Sequence, residues 1–278
     1  MPNLFVYGEL RKWGSKHDSL NKAACHNSQC WVNGALYAVD EDVPVMGEHP
    51  SNRVYGELYE VTETQLQMID QMMSGFPDSL YQRVSVQVSF DTEESKEAFI
   101  YKADASLSSR CTLIPSGDWL VYQYLKHHFI RYFAYGSCMD KERFRQANVA
   151  HYFKNVEGRG VLGGFRFQFS RSTDDGGKAD LVEKDQEKVE GIVYRIPIRA
   201  TSYLYRREGV YSQSYRPAIV PVEIHGEVHQ ALTFIGMEKS PETAPTALYG
   251  REILRGGENY LSESYLQMIR GKIHHLQG

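Results

Sequence analysis

The feature that most constrains this chain is an opening that occurs twice. Residues 3–12 read NLFVYGELRK, and residues 131–140 read RYFAYGSCMD. In both stretches aromatic and aliphatic residues lead into Tyr-Gly, and the two Tyr-Gly pairs lie 128 positions apart. Internal self-similarity indicates a repeated architecture, and a fold prediction that overlooks it misreads the whole chain. We therefore expect one structural plan to be used twice.

Three further blocks recur in the same order. They pair residues 54–61 with 189–196, 69–75 with 204–210, and 81–88 with 215–224. The first two of these pairs share a shift of 135, so the second copy is about seven residues longer near its start. The turn residues Pro115, Ser116 and Gly117 precede the second opening and indicate a boundary. The sequence predicts a tandem duplication, with a first domain over 1–128 and a second over 129–278.

The bulk properties are those of a soluble globular protein. The chain has 278 residues, enough for two domains of ordinary size, with 42% hydrophobic and 24% charged residues. The net charge of −4 and the lack of a long basic run argue against a nucleic-acid partner. No secretory signal and no apolar stretch of about 20 residues is visible, so no membrane role is expected. Four cysteines in a chain of this length favour a reducing cytoplasm over a disulfide framework.

The local patterns favour a strand-rich α+β fold. Residues 5–7 and 133–135 are typical of short buried strands that end at glycine. GELYEV and GIVYRI alternate like half-buried strands. Thr62, followed three positions later by Gln65, has the pattern of a capping box and predicts a helix start. Because strands and helices do not alternate regularly, a doubly wound parallel sheet is not expected.

The second Tyr-Gly turn is a candidate binding loop. A strand that stops at Tyr135-Gly136 and turns exposes successive backbone N–H groups. Such groups can hold a carboxylate or a developing oxyanion without a charged side chain. The alternative is that Gly136 only permits a tight turn.

A difference between the two copies marks a second candidate site residue. In the third block Met73 stands where Glu208 stands. A surface carboxylate replaced by methionine would expose an apolar side chain, whereas a pocket-facing one could be replaced by a side chain that fills the pocket. An inward carboxylate with a raised pKa can act as a general base. The alternative is a solvated charge beside Arg206 and Arg207.

The combination of YFAYGS, GIVYRI and LYRREGV with the first copy's YGELR resembles the γ-glutamylcyclotransferase superfamily, including its AIG2-like and butirosin-pathway members. The resemblance covers nearly the whole chain. It implies two tandem domains, each with a mixed, barrel-like β-sheet and flanking helices. It also implies an enzyme of the lyase or acyltransferase type that needs no cofactor or metal. Such an enzyme closes the γ-glutamyl group of a small-molecule substrate to 5-oxoproline and releases an amine.

The resemblance also assigns residues. Glu208 would be the general acid/base, and Tyr265 a looser match to a late substrate-contacting tyrosine. The substrate's glutamyl head would bind a loop made of Tyr132, Phe133, Ala134, Tyr135, Gly136, Ser137 and Cys138. The equivalent loop of the first copy is Tyr7, Gly8, Glu9 and Leu10, but Met73 leaves that copy without the base.

The chain also departs from the family's pattern, and rival interpretations stay open. Cys138 replaces the family's usual asparagine, Tyr205 its aspartate, and Glu9 its threonine or serine. A non-catalytic module that binds a γ-glutamyl ligand is one rival interpretation, and a zinc or thiol hydrolase is another. The Gly158-x-Gly160-x-x-Gly163 run and the group Cys25, His26 and Cys30 are weak nucleotide and metal motifs. Glutathione, a γ-glutamyl dipeptide, a polyamine conjugate and an antibiotic intermediate all stay open as substrate, and the oligomeric state stays open too.

Overall fold

The computed structural model describes residues 1–39, 42–75, 81–91, 94–103 and 111–278. It divides into two compact units, Met1–Tyr122 and Gln123–Gly278. The boundary predicted from the sequence follows residue 128, a few positions further along the chain. Within the described ranges, no helix is long and apolar enough to cross a membrane.

The first unit is built around a closed five-stranded barrel in the order β1-β5-β2-β6-β7. Beside it lies a three-stranded sheet in the order β4-β3-β8. The strands are β1 Asn3–Val6, β2 Ala24–Asn33, β3 Ala35–Val39, β4 Val43–Gly47, β5 Arg53–Glu60, β6 Tyr81–Ser89, β7 Ser95–Ala103 and β8 Cys111–Leu113. The helix α1, Glu63–Ser74, follows β5, and α2, Trp119–Tyr124, spans the division between the units.

The second unit contains another closed barrel, in the order β10-β11-β9-β13-β12. Its strands are β9 Phe129–Ala134, β10 Val156–Arg171, β11 Lys178–Pro197, β12 Tyr215–Ile224 and β13 Glu227–Gly236. Its helices are α3 Lys141–Gln146, α4 Thr201–Arg207, α5 Ala247–Gly257 and α6 Glu263–Gln277.

The two barrels share one topology, as the repeated blocks predict. Phe5 pairs with Leu58 in the first barrel, and Phe133 pairs with Val193 in the second. Each barrel closes by a parallel contact between its first and last strands, at Leu4–Phe99 and at Tyr132–Leu232. The α+β class and the two tandem barrel-like domains are therefore confirmed.

The local signals for helix and strand also agree with the structure at particular residues. Thr62 and Gln65 form the expected capping box at the start of α1. The Gly158-x-Gly160-x-x-Gly163 run lies inside β10 and leads into more strand, whereas a dinucleotide site needs a helix there. Among the residues that the structure describes, no group of three or more His, Cys, Asp or Glu side chains could hold a metal ion.

Candidate active site

A pocket of about 320 Å³ opens in the second unit, where β9 ends. Its wall combines the Tyr-Gly turn with side chains from β11, β12, β13, α5 and the end of α4. The lining residues are Tyr132, Tyr135, Gly136, Ser137, Cys138, Ala179, Glu208, Tyr215, Phe234 and Tyr249. The structure thus brings together most of the predicted loop and Glu208, which lie about seventy residues apart in the sequence.

The turn after β9 is held rigidly against the barrel. The Tyr135 hydroxyl donates a hydrogen bond to the carbonyl of Phe234, at 2.7 Å. A one-turn helix over Ser137–Met139 follows, and its first N–H groups have no acceptor within the turn. A Cβ on Gly136 would come within 3.1 Å of the Ala179 Cβ, so glycine allows the close approach of these segments.

Glu208 is placed by the end of α4. It is the C-cap residue of that helix, and its N–H donates to the carbonyl of Leu204 at 2.8 Å. Gly209 then takes the left-handed conformation, with φ of 63°, that commonly ends a helix. The Glu208 side chain keeps only 18% of its surface exposed. Burial raises its pKa above the ordinary value, and the neighbouring Arg207 guanidinium opposes part of that rise.

Arg207 and Cys138 connect Glu208 to the loop. The Cys138 thiol donates to Glu208 Oε1 at 2.9 Å. Arg207 donates from Nε to Cys138 Sγ and from a terminal nitrogen to Ser137 Oγ, both at 3.0 Å. Burial and the Glu208 carboxylate raise the pKa of Cys138 to about 11. At neutral pH Cys138 is therefore a thiol, which makes it a poor nucleophile. Sequence reasoning gave Arg207 no part in the site.

Two tyrosines that sequence reasoning missed frame the opposite wall. The Tyr215 hydroxyl donates to the carbonyl of Ala179 at 2.8 Å, and the Tyr249 hydroxyl accepts from its N–H at 3.2 Å. Burial raises the pKa of both hydroxyls, so both stay neutral donors at physiological pH.

Three residues of the predicted binding set do not line the pocket. Phe133 and Ala134 are fully buried in the barrel wall. Tyr265 is buried on α6, where its hydroxyl lies near Glu190. The late tyrosine that the pocket does contain is Tyr249.

Family models match both units of the chain. Residues 4–121 match the family model described as gamma-glutamyl cyclotransferase, AIG2-like, and residues 188–269 match that of the AIG2-like family. A Bacillus subtilis (strain 168) protein, YkqA, is 41% identical over 277 residues, which cover 98% of each chain. The chain belongs to the AIG2-like γ-glutamylcyclotransferase family. YkqA carries a gamma-glutamylcyclotransferase name that is still provisional.

Two more comparisons describe the chain's place among AIG2-like proteins. The crystal structure of YkqA superimposes with a TM-score of 0.90 at 40% identity, covering 99% of this chain and 98% of that one. The gamma-L-glutamyl-butirosin B gamma-glutamyl cyclotransferase of Niallia circulans is 31% identical over 133 residues. That match covers 46% of this chain and 80% of the relative.

The first AIG2-like unit keeps the frame of the pocket. The Tyr7 hydroxyl donates to the carbonyl of Tyr101 at 2.8 Å, as Tyr135 does to Phe234. The Tyr81 hydroxyl donates to the carbonyl of Pro44 at 2.9 Å, as Tyr215 does to Ala179. Pro44 is therefore the counterpart of Ala179.

The side chains inside the first unit's frame differ from those of the second unit. The Pro44 ring packs directly on Gly8, where the second unit has only the small Ala179. Met73 is 8% exposed and belongs to an apolar cluster that includes Leu10, the counterpart of Cys138. A thiol–carboxylate pair in the second unit thus corresponds to two packed apolar side chains in the first.

Two carboxylates near the Tyr-Gly turn of the first copy, Glu9 and Glu57, make structural contacts. Glu9 accepts hydrogen bonds from Trp119 Nε1 at 2.5 Å and from the N–H of Ser15 at 2.8 Å. Glu57 is buried and accepts from Arg11 Nε at 3.2 Å and from the Tyr59 hydroxyl at 2.8 Å. Both carboxylates therefore hold the fold of their own unit.

Proposed function

We propose that this protein is a γ-glutamylcyclotransferase and that its reaction takes place in the second unit. The substrate is a γ-glutamyl amine or peptide, and the products are 5-oxoproline and the released amine. The observation that carries the proposal is Glu208, a carboxylate with a raised pKa that lines the same small pocket as the Tyr135-Gly136-Ser137 turn.

The proposed reaction begins with a proton transfer. The α-amine of the γ-glutamyl group is mostly an ammonium at neutral pH and must lose a proton before it can attack. The ionised Glu208 accepts that proton. A water-exposed glutamate near its reference pKa of about 4.3 would be a weak base, so the burial that raises the pKa of Glu208 makes it a stronger one.

Ring closure and release then follow. The α-nitrogen forms a bond to the γ-carbonyl carbon, and the carbonyl oxygen becomes an oxyanion near the N–H groups that open the Ser137–Met139 turn. Glu208 returns its proton to the departing nitrogen as the old amide bond breaks. The attacking nitrogen loses its second proton to the released amine or to solvent, which leaves the neutral lactam. Because the attack is intramolecular, holding the glutamyl chain curled supplies much of the rate acceleration. The step consumes no water and no cofactor.

A binding module on the same fold is the rival function. The Met73 cluster of the first unit is the specific observation that favours it, because a copy of this fold there has an apolar side chain at the position of Glu208. The presence of Glu208 in the pocket of the second unit favours catalysis there. We also propose a reducing cytoplasm as the site of the reaction, with which four cysteines that form no disulfide agree.

The identity of the product tests the mechanism. The full chain is incubated with γ-glutamyl dipeptides and γ-glutamyl amines in heavy-oxygen water, and the products are analysed by mass spectrometry. We expect unlabelled 5-oxoproline that forms only with enzyme present. A substrate acetylated on its α-nitrogen should give no product. Glutamate with one heavy oxygen in its side chain would mean hydrolysis by a thiol or by activated water, and the cyclotransferase proposal would fall.

A further inference from the structure

Three aromatic rings form a row that leads from the pocket to solvent. Phe234 lines the pocket, and the Tyr205 ring meets it edge-on at 5.8 Å between centroids and 88° between planes. Tyr211 continues the row, 6.3 Å from Tyr205. Its side chain is 74% exposed, whereas Phe234 is 2% exposed. We call Phe234, Tyr205 and Tyr211 the aromatic row.

The row is positioned by the segment that positions the base. Tyr205 precedes Glu208 by three residues, so both point to one face of the end of α4. Tyr211 lies in a short turn, Val210–Ser212, between two residues in the left-handed conformation, Gly209 and Gln213. Within that turn the Ser212 N–H and hydroxyl both donate to the Gly209 carbonyl at 3.1 Å. The exposed ring is therefore held beside the base by a defined turn.

The size of the pocket determines what must lie outside it. Its space of about 320 Å³ includes open solvent at the mouth, so the enclosed part is small. With a glutamyl head in the pocket, the amine that it carries extends out through the mouth. Tyr205 lies against Phe234 of the pocket lining, and the exposed Tyr211 lies beyond it, so the two rings offer a surface to a group that leaves the pocket.

We propose that the aromatic row is the subsite for the leaving amine, and that the preferred leaving amine carries an aromatic ring. This inference rests on the proposed function and deepens it. Aromatic pairs add about 0.5–1.5 kcal/mol to simple burial, which corresponds to roughly two- to twelvefold in specificity.

The test compares two substrates that differ only in the ring. The ratio of kcat/KM for γ-glutamylphenylalanine to that for γ-glutamylalanine is measured with the full chain and three variants. Tyr211→Ala removes the exposed ring, Tyr211→Phe keeps it, and Phe129→Ala removes a ring that is 59% exposed at the start of β9. We expect a ratio of roughly five to ten in the natural protein, Tyr211→Phe and Phe129→Ala, and a fall of about threefold or more in Tyr211→Ala. A ratio near one, or one that Tyr211→Ala does not change, would overturn the subsite.

The two proposals fail in different ways. If no γ-glutamyl dipeptide or γ-glutamyl amine yields 5-oxoproline, the proposed function fails, and the subsite is then tested by calorimetry on Glu208→Gln, which cannot turn the ligand over. γ-Glutamylphenylalanine should bind severalfold more tightly than γ-glutamylalanine to Glu208→Gln, and equally with it to Glu208→Gln/Tyr211→Ala. Equal affinities for Glu208→Gln would refute the aromatic row as a binding surface.

Discussion

The two units keep the same hydroxyl–carbonyl hydrogen bonds around their Tyr-Gly turns. They differ at the positions of Cys138, Arg207 and Glu208, where the first unit has Leu10, Met72 and Met73. Tyr7 and Tyr135 bond the last barrel strand in the same way. At the base position, however, the first unit has Met73 packed in an apolar cluster and the second has Glu208 in a pocket. The tyrosine hydrogen bonds therefore support the barrel in both units, whereas the side chains that could react differ between them. In this architecture the reactive side chains can change while the fold is kept.

The largest expected effect on turnover comes from removing the proposed base, Glu208, from the second unit. Glu208→Gln keeps the shape and hydrogen bonding of the side chain but cannot accept a proton. The rate of 5-oxoproline release should fall by roughly 10²-fold or more. Glu223→Gln, on the exposed face of β12, is the matched control and should keep the natural rate. Near-normal turnover by a folded Glu208→Gln protein would sink the assignment of Glu208.

The same variant should be more stable than the natural protein. A carboxyl whose pKa is raised on folding destabilises the folded state above its unfolded pKa, since the folded state resists ionisation. Glu208→Gln should therefore raise the melting temperature at pH 7. Below about pH 4, where the carboxyl is neutral in both states, the difference should vanish. A difference that grew as the pH fell would contradict the raised pKa.

The second largest effect is the introduction of a base into the copy that lacks one. Met73→Glu buries a carboxylate in a cluster of apolar side chains. It should destabilise the first unit by about 3 kcal/mol at pH 7, and by less near pH 4, where the carboxyl is protonated. Met68→Glu, on the same helix but 59% exposed, is the control and should have little effect. Chemical denaturation at the two pH values measures both, and a stable Met73→Glu protein would mean that its site is already wet.

A smaller effect is expected from the cation that holds the base to the loop. Arg207→Met gives the second copy the residue of the first, Met72. Without the guanidinium the pKa of Glu208 rises further, because one of the effects that lower it is lost. The acid limb of the kcat/KM profile should move to higher pH, and activity at pH 6 should fall by about tenfold. The exposed Arg206→Met is the matched control. A uniform loss with no shift of the limb would mean that Arg207 only supports the fold.

The smallest effect is expected at the thiol. Cys138→Ser leaves a hydroxyl that can donate the same hydrogen bond to Glu208, so turnover should stay within about tenfold of the natural rate. The exposed Cys25→Ser serves as the control. A collapse of activity in Cys138→Ser alone would instead support covalent catalysis by the thiol.

Much of the fold could be predicted because the sequence repeats the same blocks in two copies. The block shifts of 128 and 135 reappear as strand register, since Phe5 and Leu58 pair as Phe133 and Val193 do. Glu208 stood out for the same reason, through its contrast with Met73. A single copy would have carried neither signal.

The rest of the site depends on contacts that no local pattern records. Tyr249 and Tyr265 each lie three residues after a helix-capping hydroxyl, Thr246 or Ser262, so their local sequences are alike. Only the packing of α5 against the Ser137–Met139 turn decides that Tyr249 reaches the pocket. The Pro44 ring on Gly8 is likewise a contact between distant segments of the chain.

The closure of each barrel by its first and last strands sets the order in which the chain can fold. Leu4 pairs with Phe99, and Tyr132 pairs with Leu232, which is synthesised about a hundred residues later. Neither barrel can therefore close until nearly all of its strands have left the ribosome. Folds dominated by such distant pairings form slowly, over milliseconds to seconds. At a synthesis rate of about 5–20 residues per second, the first barrel has several seconds to close before the last strand of the second exists. Two copies with one strand order could otherwise exchange strands, and sequential synthesis separates them in time.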